Sequence, residues 1–269
     1  MSRYIYTLLI LLLISCSETV SDCRQLSVTM EPYRYIVEAV AGDNWCVRSV
    51  VAKGANPETF DPTPSDILAL SDSEVYFMVG GLGFEDAWKS RIADIHPDLK
   101  IVDTSIGVNR DKGDPHLWTS PDNVSIIAEN ICETLCRLDT LSAADYRRRL
   151  VSFKKSVQRT DSIITCKLRD CRSRAFLIFH PSLTYFSNRY GLSQIAIEHD
   201  GKEPSVFGMK SVTDSARLYG VKYILVQAEF DTRNAQAIAN ELGMQVVEID
   251  PLNYDWHGEM LHIAEILSR

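Results

Sequence analysis

The 269-residue sequence has no long basic tract and, beyond its first fifteen residues, no long apolar run. Its densest basic cluster, Arg147-Arg148-Arg149, is too short to neutralise a nucleic-acid backbone. The net charge is −8, from 28 Lys and Arg against 36 Asp and Glu, which argues against nucleic acid and favours cations as partners. Its hydrophobic fraction of 45% and charged fraction of 24% predict a folded chain with a substantial core.

Several enzyme motifs are missing as well. The run Gly80-Gly81-Leu82-Gly83 lacks both the Gly-x-Gly-x-x-Gly spacing and the Lys-Ser/Thr of a phosphate-binding loop. No Ser-His-Asp or Cys-His arrangement forms a recognisable nucleophile motif. There is no Cys-x-x-Cys pair, so the cysteines do not indicate a zinc finger.

The seven cysteines have two kinds of role. One of them, Cys16, belongs to the N-terminal segment described next. The other six are predicted to pack in the core or to form disulfides, with a connectivity that the sequence leaves open. They are Cys23, Cys46, Cys132, Cys136, Cys166 and Cys171. Metal ligation by Cys132 and Cys136, four residues apart in a helical pattern, is the less favoured alternative.

The N-terminus predicts export. Residues 1–15 contain one early positive charge, Arg3, and then an apolar run that is shorter than the ~20 residues of a spanning helix. The run ends in Leu13-Ile14-Ser15-Cys16, which resembles the lipobox of bacterial lipoproteins. We therefore expect residues 1–15 to be a signal peptide and Cys16 to carry a lipid, with an ordinary cleaved signal as the alternative.

Short apolar, β-branched runs alternate with helical patterns along the rest of the chain. Several are apolar almost throughout, as in strands buried on both faces of a parallel sheet. Helix signals lie between them, for example Thr63 before Pro64 with Asp66 three residues on, and Ser120 before Pro121. The pattern predicts an α/β protein. The predicted strands are Leu26–Met30, Cys46–Val51, Val75–Val79, Lys100–Asp103, Ala175–Phe179, Gln194–Ile197, Tyr223–Val226 and Gln245–Ile249.

One charged stretch divides this alternation into two halves. Residues 142–171 have no strand signal, and their apolar residues recur at three- and four-residue steps. As a helix the stretch would be about 28 residues, or about 42 Å, long. We predict two α/β lobes with parallel sheets, joined by one long rigid helix. The expected boundaries are 16–140 for the first lobe, 141–171 for the linking helix and 172–269 for the second lobe.

Four residues with metal-binding side chains lie near predicted strand ends. In open parallel sheets, ligands bind outside the carboxyl ends of the strands. Glu58 and His116 lie in loops of the first half, whereas His180 and Asp250 follow strands of the second half. Two imidazoles and two carboxylates suit a divalent transition metal such as Zn²⁺, and more oxygen favours Mn²⁺. We predict that the four converge in the cleft between the lobes.

Five segments, in order, resemble one family. The resemblance is to the metal-binding solute-binding proteins of bacterial zinc and manganese ABC importers, and it extends from about Leu26 to the C-terminus. It implies two α/β lobes, a rigid linking helix, a metal cargo and a membrane permease as partner. The matching segments are Phe60-Asp61-Pro62-Thr63-Pro64-Ser65-Asp66, Asp114-Pro115-His116-Leu117-Trp118, Phe179-His180-Pro181-Ser182-Leu183-Thr184-Tyr185-Phe186, Glu203-Pro204-Ser205 and Glu248-Ile249-Asp250-Pro251-Leu252.

Carried over residue by residue, the resemblance assigns three ligands and departs at the fourth. His116, His180 and Asp250 match family ligands, whereas Glu58 occupies the place of the family's first histidine. The His-rich acidic loop of many zinc-specific members is also missing, because Thr104–Gly113 is short and contains no histidine. Zinc remains the expected metal, and these departures keep manganese as the alternative.

The sequence as a whole predicts a receptor that binds and does not turn over its ligand. We expect an exported, monomeric lipoprotein on the periplasmic or cell-surface face of a bacterial membrane, which hands a divalent metal to an ABC permease. Two alternatives stay open. One is a zinc hydrolase with an open coordination position if Glu58 points away. The other is a siderophore or corrinoid receptor of similar shape.

Overall fold

Two four-stranded parallel sheets form the framework of the computed structural model, which describes residues 23–111, 113–171, 173–198, 206–230 and 232–269. Each strand overlaps a run predicted from apolar residues, so the α/β prediction is confirmed. The predicted signal peptide 1–15 and Cys16 lie outside the described residues. The strands are β1 Arg24–Val28, β2 Trp45–Ser49, β3 Ser73–Met78, β4 Lys100–Asp103, β5 Ala175–Ile178, β6 Ser193–Ala196, β7 Tyr223–Gln227 and β8 Gln245–Ile249.

The two sheets have the same topology. Their strand orders are β2-β1-β3-β4 and β6-β5-β7-β8, and all neighbouring strands are parallel. In each sheet the chain reverses its direction of progress between the two central strands, which is where open sheets of this kind bind ligands. Ligand-binding side chains are therefore expected at the carboxyl ends of the central strands, which are β1 and β3 in one sheet and β5 and β7 in the other.

A 26-residue helix, α5, stands between the two sheets in the chain. At 1.5 Å per residue it is about 39 Å long, slightly shorter than the length of about 42 Å predicted from the charged stretch. Its inward side chains, such as Phe153 and Ile164, belong to one hydrophobic core that includes Leu26 of β1 and Phe176 of β5. The linking helix is thus packed against both lobes. The helices are α1 Glu31–Ala41, α2 Pro64–Leu68, α3 Gly83–Ile95, α4 Pro121–Leu138, α5 Ala143–Leu168, α6 Thr184–Tyr190, α7 Val206–Leu218, α8 Thr232–Leu242 and α9 Trp256–Leu267, with short 3₁₀ helices at Ala69–Asp72 and Leu117–Thr119.

Local signals explain where two of these helices begin. Thr63 and Asp66 form the predicted capping box at the start of α2, each side chain accepting from the other's backbone N–H. Ser120 lies at the N-cap of α4, but its side chain makes no capping hydrogen bond. Pro121 supplies the start instead, since its fixed φ suits the first helical position.

The cysteines divide between one disulfide and free thiols. Cys23 and Cys46 form a disulfide that links the start of β1 to β2. Among the described residues Cys132, Cys136, Cys166 and Cys171 are free. Of the described helices, none combines the length and apolar character that crossing a membrane requires.

Candidate metal centre

Three of the four predicted ligands meet between the two lobes. Glu58, His116 and His180 each offer a ligand atom, and the three atoms all lie within 4.8 Å of one another. Glu58 and His116 come from loops of the first lobe, and His180 comes from the second. The chain therefore brings together side chains that are up to 122 residues apart in sequence.

Glu58 approaches both histidines from the loop between β2 and α2. Its backbone N–H donates to the side chain of Asn56 at 2.8 Å, an Asx turn that fixes the local direction of the chain. One carboxylate oxygen, Oε2, is 3.2 Å from Nε2 of His180. The other, Oε1, is 3.8 Å from Nε2 of His116. With a side chain that is 32% exposed, Glu58 is the part of this group that solvent reaches most easily.

His116 is oriented by a residue two positions before it. Its Nδ1 lies 2.7 Å from Asp114, and its backbone N–H donates to the same carboxylate oxygen at 2.8 Å. A carboxylate oxygen only accepts, so Nδ1 carries the hydrogen and Nε2 is left to face Glu58. The ring also lies against Trp118, with 5.3 Å between centroids. These contacts fix the imidazole, whose side chain is 8% exposed.

His180 is held by residues that are distant in sequence. It follows β5, and its Nδ1 lies 3.4 Å from Glu198, a buried residue just beyond β6. Gln227, the last residue of β7, accepts from the backbone N–H of His180 and donates to its carbonyl oxygen. On one face, the ring of Phe230 stacks on the imidazole at 5.1 Å and 21°. Nε2 again points to Glu58.

The three groups shift one another's pKa values. Burial raises the pKa of Glu58, but its hydrogen bond to His180 and the charges of both histidines outweigh burial and lower it overall. Burial lowers the pKa of His180, yet the carboxylates of Glu58 and Glu198 together raise it above its usual value. Burial likewise raises the pKa of Asp114, and its bonds to His116 lower it overall. The site thus stabilises a positive charge between its carboxylates.

Asp250 directly follows β8, as predicted, but it is not one of the three mutually close ligands. Its Oδ2 accepts a hydrogen bond from Asn253 at 3.0 Å, and its backbone N–H donates to Glu259 at 2.8 Å. Burial raises the pKa of Asp250, partly offset by hydrogen bonds from Asn253 and Leu252. Its carboxylate lies at the same edge of the second sheet as His180.

Two imidazoles and a carboxylate suit a borderline transition metal. Ligand atoms 2.0–2.2 Å from a tetrahedral zinc lie about 3.3–3.6 Å from one another. The separations of 3.2 and 3.8 Å around Glu58 are close to that range. Histidine ligands commonly donate their second ring nitrogen to a carboxylate, as both histidines do here. The donors and their supports therefore fit a divalent metal ion.

The fold and this centre define a class: two-lobed receptors that bind a metal ion between their lobes. The comparisons with known proteins agree with this assignment. A family model described as ZnuA, zinc-uptake complex component A, periplasmic, matches residues 27–266. The chain belongs to this family of exported, metal-binding solute-binding components of ABC transporters, whose members are binding proteins and not enzymes.

Individual relatives support the same class. A crystal structure of ZnuA superposes with a TM-score of 0.88 at 31% identity, covering 92% of this chain and 98% of that one. The manganese-binding lipoprotein MntA of Halalkalibacterium halodurans is 25% identical over 78% of this chain and 73% of its own. The zinc-binding protein AdcA of Streptococcus pyogenes is 22% identical over 83% of this chain but only 49% of its own length.

The family and fold predicted from the sequence are confirmed, and the hydrolase alternative is set aside because the family consists of binding proteins. The matching segment Glu203-Pro204-Ser205 lies outside the described residues. Glu198 and Gln227, which support His180, are not among the residues predicted from the sequence. Both lie at carboxyl ends of strands in the second sheet, so the rule that selected His180 and Asp250 would have found them too.

Proposed function

We propose that this protein is an exported lipoprotein receptor that captures a divalent transition metal, zinc before manganese, and delivers it to the permease of an ABC importer. The observation that carries the proposal is the meeting of Glu58, His116 and His180 within 4.8 Å between the lobes. Membership of the zinc-uptake family supports the transport role.

In this proposal four side chains bind the ion. Nε2 of His116 and Nε2 of His180 provide nitrogen, and Glu58 provides a carboxylate oxygen. Asp250 supplies the fourth ligand by turning its carboxylate from Asn253 towards the ion. The set of two nitrogens and two oxygens fills a tetrahedral shell, as expected of a receptor that holds its cargo without leaving a position for a reactive water.

The choice of zinc before manganese follows from the ligand set and the usual affinity order. Any such site binds zinc more strongly than manganese, and the two imidazoles reinforce that order. Glu58, in place of a third imidazole, gives the site a hard oxygen ligand and narrows the difference between its affinities for zinc and manganese. Relatives named for zinc and for manganese are both among the proteins that this chain resembles.

Release would require a small movement, because the lobes are tied together close to the site. The indole N–H of Trp118 donates to the carbonyl of Pro251 at 2.7 Å, and that of Trp256 donates to the carbonyl of Trp118 at 2.7 Å. Tyr185 of α6 donates to the carbonyl of Asp114 at 2.8 Å. We expect the permease to disturb the exposed loop of Glu58 and leave these ties intact.

The N-terminal segment is the proposed membrane anchor. Cleavage after Ser15 would leave Cys16 as a lipidated N-terminus that anchors a monomeric receptor at a bacterial membrane surface. A Cys16→Ser variant is expected to move from the membrane to the soluble fraction of cells. Retention of that variant in the membrane fraction would contradict a lipid anchor at this residue.

Glu58 offers the sharpest test of the proposed ligand set. Glu58→Ala is expected to weaken the binding of both metals, because the loss of one of four ligands opens the coordination shell to water. Glu58→His is expected to raise zinc affinity relative to manganese, since imidazole is the softer ligand. Competition titrations against a zinc chelator measure both effects.

Thr59→Ala is the matched control, since Thr59 is the exposed neighbour of Glu58 in the same loop. Its affinity for both metals should stay within about twofold of wild type, as for other surface substitutions. If Glu58→Ala behaves like Thr59→Ala, Glu58 is not a ligand.

A further inference from the structure

A second acidic side chain, Glu229, lies beside the candidate metal centre. It belongs to the turn directly after β7, and its neighbour Phe230 stacks on the ring of His180. The turn also lies against the end of β8, because the N–H of Ala228 donates to the carbonyl of Ile249 at 2.9 Å. Glu229 thus lies between the strand ends that carry His180 and Asp250.

One oxygen of this carboxyl group lacks a hydrogen-bond partner. Oε2 of Glu229 is buried and, within the part of the chain that the structure describes, no donor reaches it. Buried polar atoms in folded proteins nearly always have a partner, so an unpaired one calls for an explanation. The two other buried oxygens of this kind among the described residues are hydroxyls, those of Tyr33 and Ser187. A carboxylate oxygen is the better ligand for a divalent cation.

The electrostatic surroundings of Glu229 are those of the same site. Burial raises its pKa to about 7, and the nearby charges of Asp250 and Glu58 act in the same direction, whereas His180 lowers it. The group therefore lies within the field of three of the proposed ligands. A cation bound among them would offset the cost of a charged carboxylate at this position.

Asp250 and Glu229 differ in how their oxygens are already used. Asp250 accepts a hydrogen bond from Asn253, which a metal ion would have to displace or share. Oε2 of Glu229 has no such bond to lose. Glu229 is not among the three mutually close ligands, so it must turn towards the ion. It is therefore suited to join a shell that expands beyond four ligands.

We propose that Glu229 is a specificity-determining residue that gives an additional oxygen to manganese and little to zinc. This inference rests on the proposed function, in which the ion lies among Glu58, His116 and His180. Zinc is satisfied by four ligands, whereas manganese favours a larger, oxygen-rich shell. A third carboxylate thus stabilises bound manganese more than bound zinc.

The test compares Glu229→Gln with wild type in separate titrations with Mn²⁺ and Zn²⁺. Gln keeps the size of the side chain and an oxygen but removes the charge. We expect Mn²⁺ affinity to fall by about tenfold or more and Zn²⁺ affinity by less than about threefold, because only the larger shell uses this oxygen. Glu241→Gln, at an exposed position of α8, is the control and should leave both affinities unchanged.

Each other outcome overturns the inference. Unchanged Mn²⁺ affinity in Glu229→Gln would show that this carboxylate does not bind the ion. Equal losses for both metals would show a general structural effect and no role in specificity. A wild-type protein that binds neither metal would overturn the proposed function itself, and with it this inference. Glu229→Asp keeps the charge on a shorter side chain and should retain more Mn²⁺ affinity than Glu229→Gln.

Discussion

The two histidines of the candidate metal centre are fixed in different ways. Asp114, which holds His116, is two residues away in the same loop, at 2.7 Å. Glu198, which holds His180, follows a neighbouring strand and is 3.4 Å away. In both cases a carboxyl group lies at Nδ1 and leaves Nε2 facing Glu58. The first lobe thus achieves by a local turn what the second lobe achieves by sheet topology.

Because of this difference, substitutions in the two lobes should affect the metal centre differently. The arrangement of His116 depends on a short loop and on the packing of Trp118. The arrangement of His180 depends on the register of β5, β6 and β7, because Glu198 and Gln227 each come from a different strand end. Substitutions in the second sheet are therefore expected to disturb the metal centre even when they lie far from His180 in the sequence.

Removal of either imidazole should have the largest effect. His116→Ala and His180→Ala each delete a proposed nitrogen ligand, so zinc affinity should fall by more than the about 10–100-fold that loss of a supporting residue costs. Competition titration against a zinc chelator measures the loss. His262→Ala, on the exposed side of α9, is the control and should bind zinc like wild type. Near-normal affinity in either test variant would remove that histidine from the ligand set.

Loss of the supporting carboxylates should have a smaller effect on zinc affinity, and the size of the effect should differ between the two lobes. Asp114→Asn and Glu198→Gln keep the shape of each side chain but weaken the hold on Nδ1, which should cost about 10–100-fold in zinc affinity. The Asp114 substitution should cost more, because its contact with the imidazole is the shorter one.

Asp86→Asn, at an exposed position of α3, provides the baseline for loss of one acidic charge. A larger loss for Glu198→Gln than for Asp114→Asn would reverse the comparison. It would mean that sheet topology holds the site more tightly than the local turn does.

Zinc affinity should change gradually with pH. Both imidazoles must lose a proton to bind metal, so zinc affinity should fall at least about tenfold between pH 7 and pH 5. The raised pKa of His180, held up by Glu58 and Glu198 against the opposing effect of burial, should start this loss above pH 6.5. A zinc affinity that stays flat across this range would contradict the assignment of both histidines.

The free energy of unfolding of the metal-free protein should depend on pH in the opposite direction, falling as pH rises. A histidine whose pKa is raised on folding contributes stability that is fully present below its unfolded pKa and is lost as pH rises through its folded pKa. Chelator-treated wild type should therefore lose more unfolding free energy than His180→Gln between pH 6 and pH 8. Chemical denaturation followed by circular dichroism gives this difference.

Much of the fold could be predicted because the central strands β3, β5 and β7 are largely buried and therefore apolar. Runs such as Phe176-Leu177-Ile178-Phe179 are apolar throughout, and the charged α5 interrupts the alternation at one point only. The Cys23–Cys46 disulfide could not be predicted, since pairing depends on the parallel register that places Gln25 beside Cys46.

The candidate site was predictable only in part, because some of its contacts, like the disulfide, depend on which strands and turns are neighbours in the fold. The positions of His180 and Asp250 at strand ends follow from chain order alone. The contact between His180 and Glu198 depends on β5 and β6 being neighbours, and the buried oxygen of Glu229 depends on the packing of a turn. Such relations between distant segments leave no periodic signal in the sequence.

The metal content of protein purified without a histidine tag tests the central claim most directly. After zinc loading and removal of free metal, elemental analysis should find about one zinc per chain in wild type, as expected for a single site. The double variant His116→Ala/His180→Ala should retain none. Wild-type protein that holds no zinc, or a double variant that holds as much as wild type, would contradict a metal centre built from these two histidines and Glu58.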